Sequence, residues 1–240
     1  MAHRGAWTQA PQNSLAALEA AIELGCDMVE IDVRRTRDRQ LVAVHDPRIG
    51  GTPVAALDQA QLQTRVGPGQ APPLAELVER AAGRITLDVE LKEDGYAEQV
   101  TRALARLTPE GHVVTSFLAP ALAGVRRAAP ETRTGLLLRP TWPLGLERRV
   151  RESGADFLAP HARAARAGLL SWADERGLPK SFVWTVNNRR ALRTMLHDRR
   201  VAAVITDRPD HALALSELHR EALHEIDAAA PTDPKYRTRG

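Results

Sequence analysis

The chain has 240 residues, of which 43% are hydrophobic and 26% are charged, so it can bury a substantial core and has the composition of an ordinary globular protein. A net charge of only +3, 4% aromatic residues and the lack of a long Lys/Arg block argue against nucleic acid binding. The single cysteine, Cys26, excludes an internal disulfide and fits a reducing compartment.

The first predicted elements are a very short strand that ends at His3 and a helix that begins after a polar segment. Gly5 allows a sharp turn out of the strand, Asn13 or Ser14 is a good N-cap, and Gly25 is a good helix terminator. Because so few residues precede His3, either the strand is very short or the natural start lies upstream, where an export signal could also lie.

The segment from Met28 to Asp46 carries the most informative pattern. Side chains alternate along a strand, so Glu30 and Asp32 share one face of an otherwise apolar run. Two neighbouring carboxylates in apolar surroundings are costly unless something offsets their charge. A divalent cation, which takes oxygen ligands, is the simplest solution, and a solvent-facing strand is the alternative.

A second apolar run, which ends at His45, follows after only a few polar residues centred on Asp38 and Arg39. A parallel crossover needs about a dozen residues or more, so this run must return antiparallel as a hairpin. The hairpin places His45 opposite Asp32 or Ile31, at the level of the carboxylates. A histidine beside a metal-binding pair is what acid–base chemistry at a metal site requires.

Residues 47–73 are rich in Gly and Pro and predict a loop with at most a short helix. A helix is predicted over 74–82 and an apolar strand over 84–92. Glu90 and Lys92 share one face near the end of that strand. They form either an exposed ion pair or, at a functional site, a further metal ligand and a cation that neutralises a phosphate.

From residue 96 onward, predicted helices and strands alternate, which argues for a parallel sheet covered by helices. The helices are predicted over 96–107, 118–129, 144–152, 162–177, 189–197 and 210–224. The eight parallel strands end near His3, Asp32, Lys92, Phe117, Arg139, Ala159, Val186 and Asp207. We therefore predict an α/β fold, a TIM (β/α)8 barrel with one extra antiparallel strand after the second barrel strand. Its polar residues would converge on the mouth where barrel active sites form.

In this order and spacing, the residues resemble the glycerophosphodiester phosphodiesterase family, from His3 to about Pro209. The resembling segments are His3-Arg4-Gly5, Asn13-Ser14, Glu30-x-Asp32-Val33, Thr36 with the Asp38 turn, His45-Asp46, Glu90-x-Lys92, Ser116-Phe117, Trp184-Thr185-Val186-Asn187 and Ile205-Thr206-Asp207. The resemblance implies a TIM barrel that hydrolyses glycerophosphodiesters, such as glycerophosphocholine, to glycerol 3-phosphate and an alcohol.

The resemblance also implies roles for seven residues. They are metal ligands for Mg²⁺ or Ca²⁺ (Glu30, Asp32, Glu90), an acid–base pair (His3, His45) and phosphate-binding cations (Arg4, Lys92). In the family's usual mechanism, a neighbouring hydroxyl of the substrate attacks phosphorus and water then opens the cyclic phosphate. The metal and the cations would offset charge on the phosphoryl oxygens, while the imidazoles transfer protons.

Three features depart from the family pattern. Gln12 stands where the family usually has a glutamate, so a charge that could support the metal or a histidine is missing. The hairpin turn reads Asp38-Arg39 where the family often has Asp-Gly, so the turn type could differ. The segment after Asp46 is shorter than the family's usual insertion, which would leave the mouth more open and the headgroup preference undetermined.

Other functions fit parts of the same sequence. A lysophospholipase D or sphingomyelinase D type of enzyme would need an apolar groove for its lipid, which tryptophans could supply unless they belong to the core. These are Trp7, Trp142, Trp172 and Trp184. A phosphatidylinositol-specific phospholipase C type of barrel works without the three carboxylates, so their presence argues against it. A non-catalytic binding barrel, with Gln12 as a trace of lost activity, is the remaining alternative.

We expect residues 1–225 to form one barrel domain and the polar segment 226–240 to be a disordered tail. No apolar run reaches the length of a transmembrane helix, and the sequence begins without a recognisable signal peptide. We therefore expect a cytoplasmic protein without a transmembrane segment that binds a small-molecule glycerophosphodiester and does not bind nucleic acid.

Overall fold

A computed structural model describes residues 1–141 and 144–218 of the chain. The strands are β1 (Ala2–His3), β2 (Met28–Arg35), β3 (Leu41–Ala43), β4 (Arg48–Ile49), β5 (Thr52–Pro53), β6 (Thr86–Leu91), β7 (His112–Ser116), β8 (Arg133–Leu138), β9 (Phe157–Pro160), β10 (Ser181–Val183) and β11 (Val201–Val204). Eight of them pair in parallel in the order β1-β2-β6-β7-β8-β9-β10-β11. Ala2 also pairs with Thr206, just after β11, which closes the sheet. The predicted TIM (β/α)8 barrel is confirmed.

Helices follow the strands and cover the outside of the barrel. They are α1 (Leu15–Glu23), α2 (Gln59–Val66), α3 (Leu74–Ala81), α4 (Ala97–Leu104), α5 (Ala119–Ala128), α6 (Leu146–Ser153), α7 (Ala162–Ala164), α8 (Leu170–Asp174), α9 (Arg189–Leu196) and α10, over residues 209–218. As predicted, α1 is capped by Ser14, whose hydroxyl accepts a hydrogen bond from Ala17 N. Among the described residues, no helix is long and apolar enough to cross a bilayer.

The single helix predicted over 162–177 is wrong. The chain forms α7, then a π-helical turn over Ala165–Leu169, then α8. Gly168 adopts φ +105°, which a right-handed helix cannot accommodate, so regular α-helical geometry breaks there. The last predicted helix is described only as far as residue 218. The tail predicted over 226–240 lies outside the described residues.

The hairpin of β2 and β3 forms as the sequence predicts. Val33 pairs with Ala43, and Val44 N donates to the carbonyl of Asp32 at 2.9 Å. His45 follows directly and therefore reaches the level of the carboxylates, as the predicted register requires.

The hairpin turn forms without the glycine that the family often has. Arg39 adopts φ +64°, a left-handed conformation that costs an L-residue about 1–2 kcal/mol and glycine little. Thr36 closes the turn, since its N donates to Gln40 O at 2.9 Å and its hydroxyl donates to Asp38 Oδ1 at 2.5 Å. Asp38-Arg39 thus forms the turn, although a glycine in place of Arg39 would adopt this backbone conformation more easily.

The extra antiparallel strand predicted after the second barrel strand is β3, and a separate two-stranded sheet lies in the segment predicted as a loop. β4 and β5 form a short ribbon, in which Arg48 pairs with Pro53 and Ile49 with Thr52. The two residues between them, Gly50-Gly51, have φ values of +54° and +80°, as the tightest hairpin turns require. The sequence reading took this Gly-rich segment for a loop and did not identify a turn between strands.

Gly5 is the point where α1 packs directly against the backbone that leaves β1. Its φ is +85°, and a β-carbon on it would lie only 2.6 Å from Ala17 Cβ and 2.8 Å from Ala17 O. The same carbonyl accepts a hydrogen bond from Ala6 N at 2.9 Å. This close approach fixes the segment that carries His3 and Arg4.

Replacement of Gly5 by alanine should therefore destabilise the protein more than the same change at Gly25. Both glycines have positive φ, but an added β-carbon at Gly25 meets nothing within 4 Å. We expect Gly25→Ala to lower the free energy of unfolding by about 1 kcal/mol and Gly5→Ala by roughly 2 kcal/mol more. Urea unfolding of both variants measures the difference. Equal losses of unfolding free energy would show that Ala17 can shift to accommodate the added β-carbon without destabilising the protein.

Candidate active site

The register of the barrel strands brings the predicted polar residues together. β1, β2 and β6 are neighbours, and their pairing aligns His3 with Glu30, Glu30 with Asp88, and Asp32 with Glu90. Residues paired across parallel strands point to the same face of the sheet. These side chains therefore enter the barrel side by side near its mouth.

Three buried carboxylates and two cations form a compact cluster. Oxygen atoms of Glu30, Asp32 and Glu90 lie within 4.8 Å of one another. Lys92 Nζ contacts Asp32 Oδ1 at 2.8 Å and Glu90 Oε1 at 2.7 Å. Arg4 Nε lies 3.1 Å from Asp32 Oδ2. The central carboxylate, Asp32, thus has a cation on each oxygen.

The carboxylates differ in how well their charge is offset. Burial raises the pKa of Glu30 well above its usual range, and its carboxylate neighbours raise it further. Burial also raises the pKa of Glu90 to about 7, although Lys92 opposes the shift. Burial opposes ionisation of Asp32 too, but Lys92 and Arg4 outweigh it, so the pKa of Asp32 is lowered. When all three are ionised, these carboxylates carry one negative charge more than the two cations offset.

This donor set fits a divalent cation. Glu30 Oε1 is buried and has no hydrogen-bond partner among the described residues, whereas Oε2 accepts a hydrogen bond from Arg4 N at 2.9 Å. A buried carboxylate oxygen without a partner is costly. Three converging carboxylates offer the oxygen ligands that hard cations such as Mg²⁺ and Ca²⁺ take.

Asp88 is a fourth buried carboxyl that the sequence reading missed. Thr115 Oγ1 donates to its Oδ1 at 2.8 Å, and its Oδ2 has no partner among the described residues. Burial raises the pKa of Asp88 to about 8, so the group is mostly protonated at neutral pH. Asp88 precedes Glu90 by two residues, as Glu30 precedes Asp32, and that spacing is the signal that could have identified it.

His3 is held by a carboxylate from the other end of the chain. Its Nδ1 lies 2.7 Å from Asp207 Oδ1, which leaves Nε2 facing Glu30 Oε2 at 3.9 Å. Asp207 also accepts hydrogen bonds from Trp7 Nε1 at 3.0 Å and Asn187 Nδ2 at 2.6 Å. Burial raises the pKa of Asp207, but the bonds from these three side chains outweigh it and lower the pKa to about 2. Asp207 stays ionised and orients the imidazole.

His45 has a local partner and lies nearer the solvent. Its Nδ1 is 2.7 Å from Asp46 Oδ1, and 37% of its side chain is exposed. Asp46 and Asp207 thus perform the same task for the two histidines, and both leave Nε2 available to the pocket. Both aspartates belong to segments that resemble the family, but the sequence analysis predicted a role for neither of them.

Gln12 and Asn13 position the charged groups beside them. Arg4 Nη1 donates to Gln12 Oε1 at 2.8 Å, so the amide holds the guanidinium although it lacks the charge of a glutamate. Asn13 Nδ2 donates to Asp32 Oδ2 at 2.8 Å, and Asp32 N donates to Asn13 Oδ1 at 2.9 Å. Asn13 takes φ +53° to make both bonds. The sequence predicted it as a possible cap only.

These groups meet at a pocket of about 330 Å³ at the barrel mouth. Its lining residues are His3, Arg4, Glu30, His45, Asp88, Glu90, Lys92, Thr115, Phe117, Leu137, Arg139, Trp184, Thr185 and Ile205. Asp32, which is fully buried, lies behind this surface. The structure therefore brings all seven predicted site residues to one place.

The three tryptophans in the described part of the chain do not line one common groove. Trp184 lines the pocket, whereas Trp7 is 40% exposed and bonded to Asp207. Trp172 is partly buried against the main core and stacks with Arg176, outside the pocket lining. Trp142 lies outside the described residues. An apolar wall built from all four is therefore not supported.

Comparison with known proteins identifies related chains over nearly the whole length. The sequence model of the glycerophosphoryl diester phosphodiesterase family matches residues 3–65 and 84–211. The glycerophosphodiester phosphodiesterase of Caldanaerobacter subterraneus subsp. tengcongensis is 27% identical over 240 aligned residues, which cover 90% of this chain and 96% of the relative.

Solved structures of the same kind resemble this chain in three dimensions. A glycerophosphodiester phosphodiesterase from Parabacteroides distasonis is 26% identical with a TM-score of 0.71, covering 92% of this chain and 97% of that one. A phosphodiesterase from Oleispira antarctica, solved in complex with the product sn-glycerol-3-phosphate, is 25% identical with a TM-score of 0.74, covering 90% and 95%.

The unbalanced charge of the cluster predicts that a divalent cation stabilises the protein. Mg²⁺ or Ca²⁺ should raise the unfolding temperature relative to EDTA, because the cation binds only the assembled carboxylates. Glu30→Gln should abolish most of that shift. It should leave the metal-free protein at least as stable as the wild type, since burial and the neighbouring carboxylates already raise the pKa of Glu30 and favour a neutral side chain there. Equal metal shifts in the two proteins would contradict this site.

The same cluster predicts a pH dependence that the cation suppresses. The folded protein binds the proton of Glu90 more tightly than the unfolded chain does, because its pKa rises from 4.5 to about 7 on folding. This group's contribution to the stability of metal-free protein should therefore fall as the pH rises from about 4.5 to about 7. Thermal unfolding at pH 5 and pH 7.5, with EDTA and with metal, checks the sign.

Proposed function

This chain belongs to the glycerophosphoryl diester phosphodiesterase family, and we propose that it hydrolyses glycerophosphodiesters to glycerol 3-phosphate and an alcohol with one divalent cation and two histidines. The observation that carries the proposal is the meeting of three buried carboxylates with two carboxylate-oriented imidazoles at one pocket. The product complex of the Oleispira antarctica phosphodiesterase supports the same substrate class.

Glu30, Asp32 and Glu90 would hold the cation, as their geometry and unoffset charge favour. When bound, the cation would supply electrostatic stabilisation of the charge that develops on the phosphoryl oxygens. Asn13 and Arg4 keep Asp32 ionised and oriented for this purpose. Turnover measured with Mg²⁺ and with Ca²⁺ would distinguish between the two ions.

The histidines would transfer the protons of the reaction. One Nε2 accepts the proton of the substrate hydroxyl that attacks phosphorus, and the other donates a proton to the leaving alcohol. When water opens the resulting cyclic phosphate, the same two groups act in the reverse sense. Asp207 and Asp46 stabilise the imidazolium that each histidine forms in turn.

Arg4 and Lys92 would bind phosphate oxygens. Both line the pocket, and both are already held by the carboxylate cluster, so neither side chain must be ordered when substrate binds. Fixed cations aimed at the place where negative charge develops stabilise the transition state more than the ground state.

The lipid alternatives have less support. The apolar part of the pocket wall consists of Phe117, Leu137, Trp184 and Ile205, and Arg139 lies over the first of them. A lysophospholipase D or sphingomyelinase D would need a longer apolar surface for an acyl chain. Small glycerophosphodiesters suit the pocket better.

Loss of either histidine should abolish most turnover. We expect His3→Ala and His45→Ala to lower kcat by about 10²–10⁴-fold, because each removes one proton transfer. His197→Ala, at the exposed end of α9, is the matched control and should retain activity. The assay is release of glycerol 3-phosphate from glycerophosphocholine and glycerophosphoethanolamine, with Mg²⁺, with Ca²⁺ and with EDTA.

Two results would contradict the proposed activity and favour another function. Turnover of lysophospholipid in place of glycerophosphodiesters would favour the lipid enzymes. Folded protein that binds no metal and turns over neither class would favour a non-catalytic binding barrel.

Gln12→Glu tests whether the missing charge limits the enzyme. The carboxylate would form an ion pair with Arg4, now held by the amide at 2.8 Å. Because Gln12 is exposed, the gain should be modest, up to about fivefold in kcat/KM. The gain should shrink as ionic strength rises. A lower kcat/KM in the variant would instead show that the neutral amide is the better partner here.

A further inference from the structure

The pocket has two walls of opposite character. Every carboxylate that lines it comes from β2 or β6, namely Glu30, Asp88 and Glu90. The lining residues in or just after β7, β8 and β10 include no carboxylate, and Arg139 is the one charged group among them; they are Thr115, Phe117, Leu137, Arg139, Trp184 and Thr185. A substrate whose phosphate binds at the first wall would have its alcohol half in the same pocket, which the second wall also lines.

Arg139 is the charged group of the second wall. Its guanidinium lies over the ring of Phe117, with Cζ 5.1 Å from the centroid. The side chain is exposed, and it forms no ion pair with a carboxylate among the described residues. Arg139 is thus oriented by stacking but retains its hydrogen-bond donors for a ligand.

Phe117 is fixed from several sides. Trp184 packs edge-on against it, with ring centroids 5.5 Å apart and an interplanar angle of 83°. Arg149 Nη2 donates to its carbonyl at 3.2 Å, which adds a second positive charge behind this wall. An aromatic face could otherwise attract a quaternary ammonium group, but here Arg139 covers it. The wall therefore disfavours a cationic headgroup and favours an anionic one.

We propose that Arg139 is a specificity-determining residue that selects glycerophosphodiesters whose alcohol half carries a second negative charge. This inference rests on the phosphodiesterase activity proposed above and names the substrate class of that site. The glycerol half is uncharged and common to all such substrates, so Arg139 discriminates among them through the alcohol half. The chemistry recognised is a phosphate or carboxylate, which a guanidinium binds through paired N–H donors.

The experiment compares three substrates that differ in headgroup charge. They are glycerophosphocholine, whose headgroup is cationic, glycerophosphoglycerol, whose headgroup is uncharged, and bis(glycerophospho)glycerol, whose alcohol half carries a second, anionic phosphodiester. Wild-type protein should show the highest kcat/KM for the anionic substrate and the lowest for the cationic one. Arg139→Gln should lower the anionic-to-cationic ratio by about threefold to tenfold, mainly through KM.

Two controls isolate the charge. Arg139→Lys should retain part of the preference, and Arg102→Gln, on the exposed surface of α4, makes the same change in net charge far from the pocket lining and should retain all of it. The wild-type ratio should also fall as salt increases, while the ratio of Arg139→Gln stays nearly constant.

The outcomes separate this inference from the proposed function. If wild-type protein turns over none of the three substrates with any metal, the phosphodiesterase proposal itself fails. If it turns over all three and Arg139→Gln leaves their ratios unchanged, only the headgroup inference fails. An equal loss for all three substrates would place Arg139 on the scissile phosphate and would also overturn the inference.

Discussion

The burial of several carboxylates on two neighbouring strands is the constraint on which the rest of the site depends. Glu30, Asp32, Asp88 and Glu90 are aligned by the register of β2 and β6 and are all buried. Charges in such surroundings need counter-charges or protons. The protein supplies Lys92 from the end of β6, and it protonates Asp88. Glu30, Asp32 and Glu90 then present converging carboxylate oxygens, which are the ligands that a divalent cation takes.

The closure of the barrel orients one of the two histidines. His3 on the first strand is held by Asp207, which follows the last strand, and these strands meet through the bridge from Ala2 to Thr206. The chain therefore has to complete the barrel before His3 has its partner. His45 needs no such closure, because Asp46 is its neighbour in sequence. One histidine depends on the global fold and the other on a local hairpin.

Local patterns predicted much of this arrangement, and their failures have a common cause. The alternation in β2 predicted that Glu30 and Asp32 share a face, and the short turn predicted where His45 lies, because strand period and hairpin register depend only on adjacent residues. The same approach missed the ribbon of β4 and β5 and the break at Gly168. In both places glycines adopt positive φ, and a glycine in a sequence does not reveal whether its φ is positive.

The sequence by itself determined the eight strands, the face on which each polar residue lies and the family that these residues resemble. The tertiary structure alone decided which distant groups contact one another, such as Asp207 with His3 and Arg139 with the ring of Phe117. The physical reason is distance along the chain. Backbone period and turn geometry follow from neighbouring residues, whereas these contacts form between loops that meet only when parallel strands are packed in register around a closed barrel.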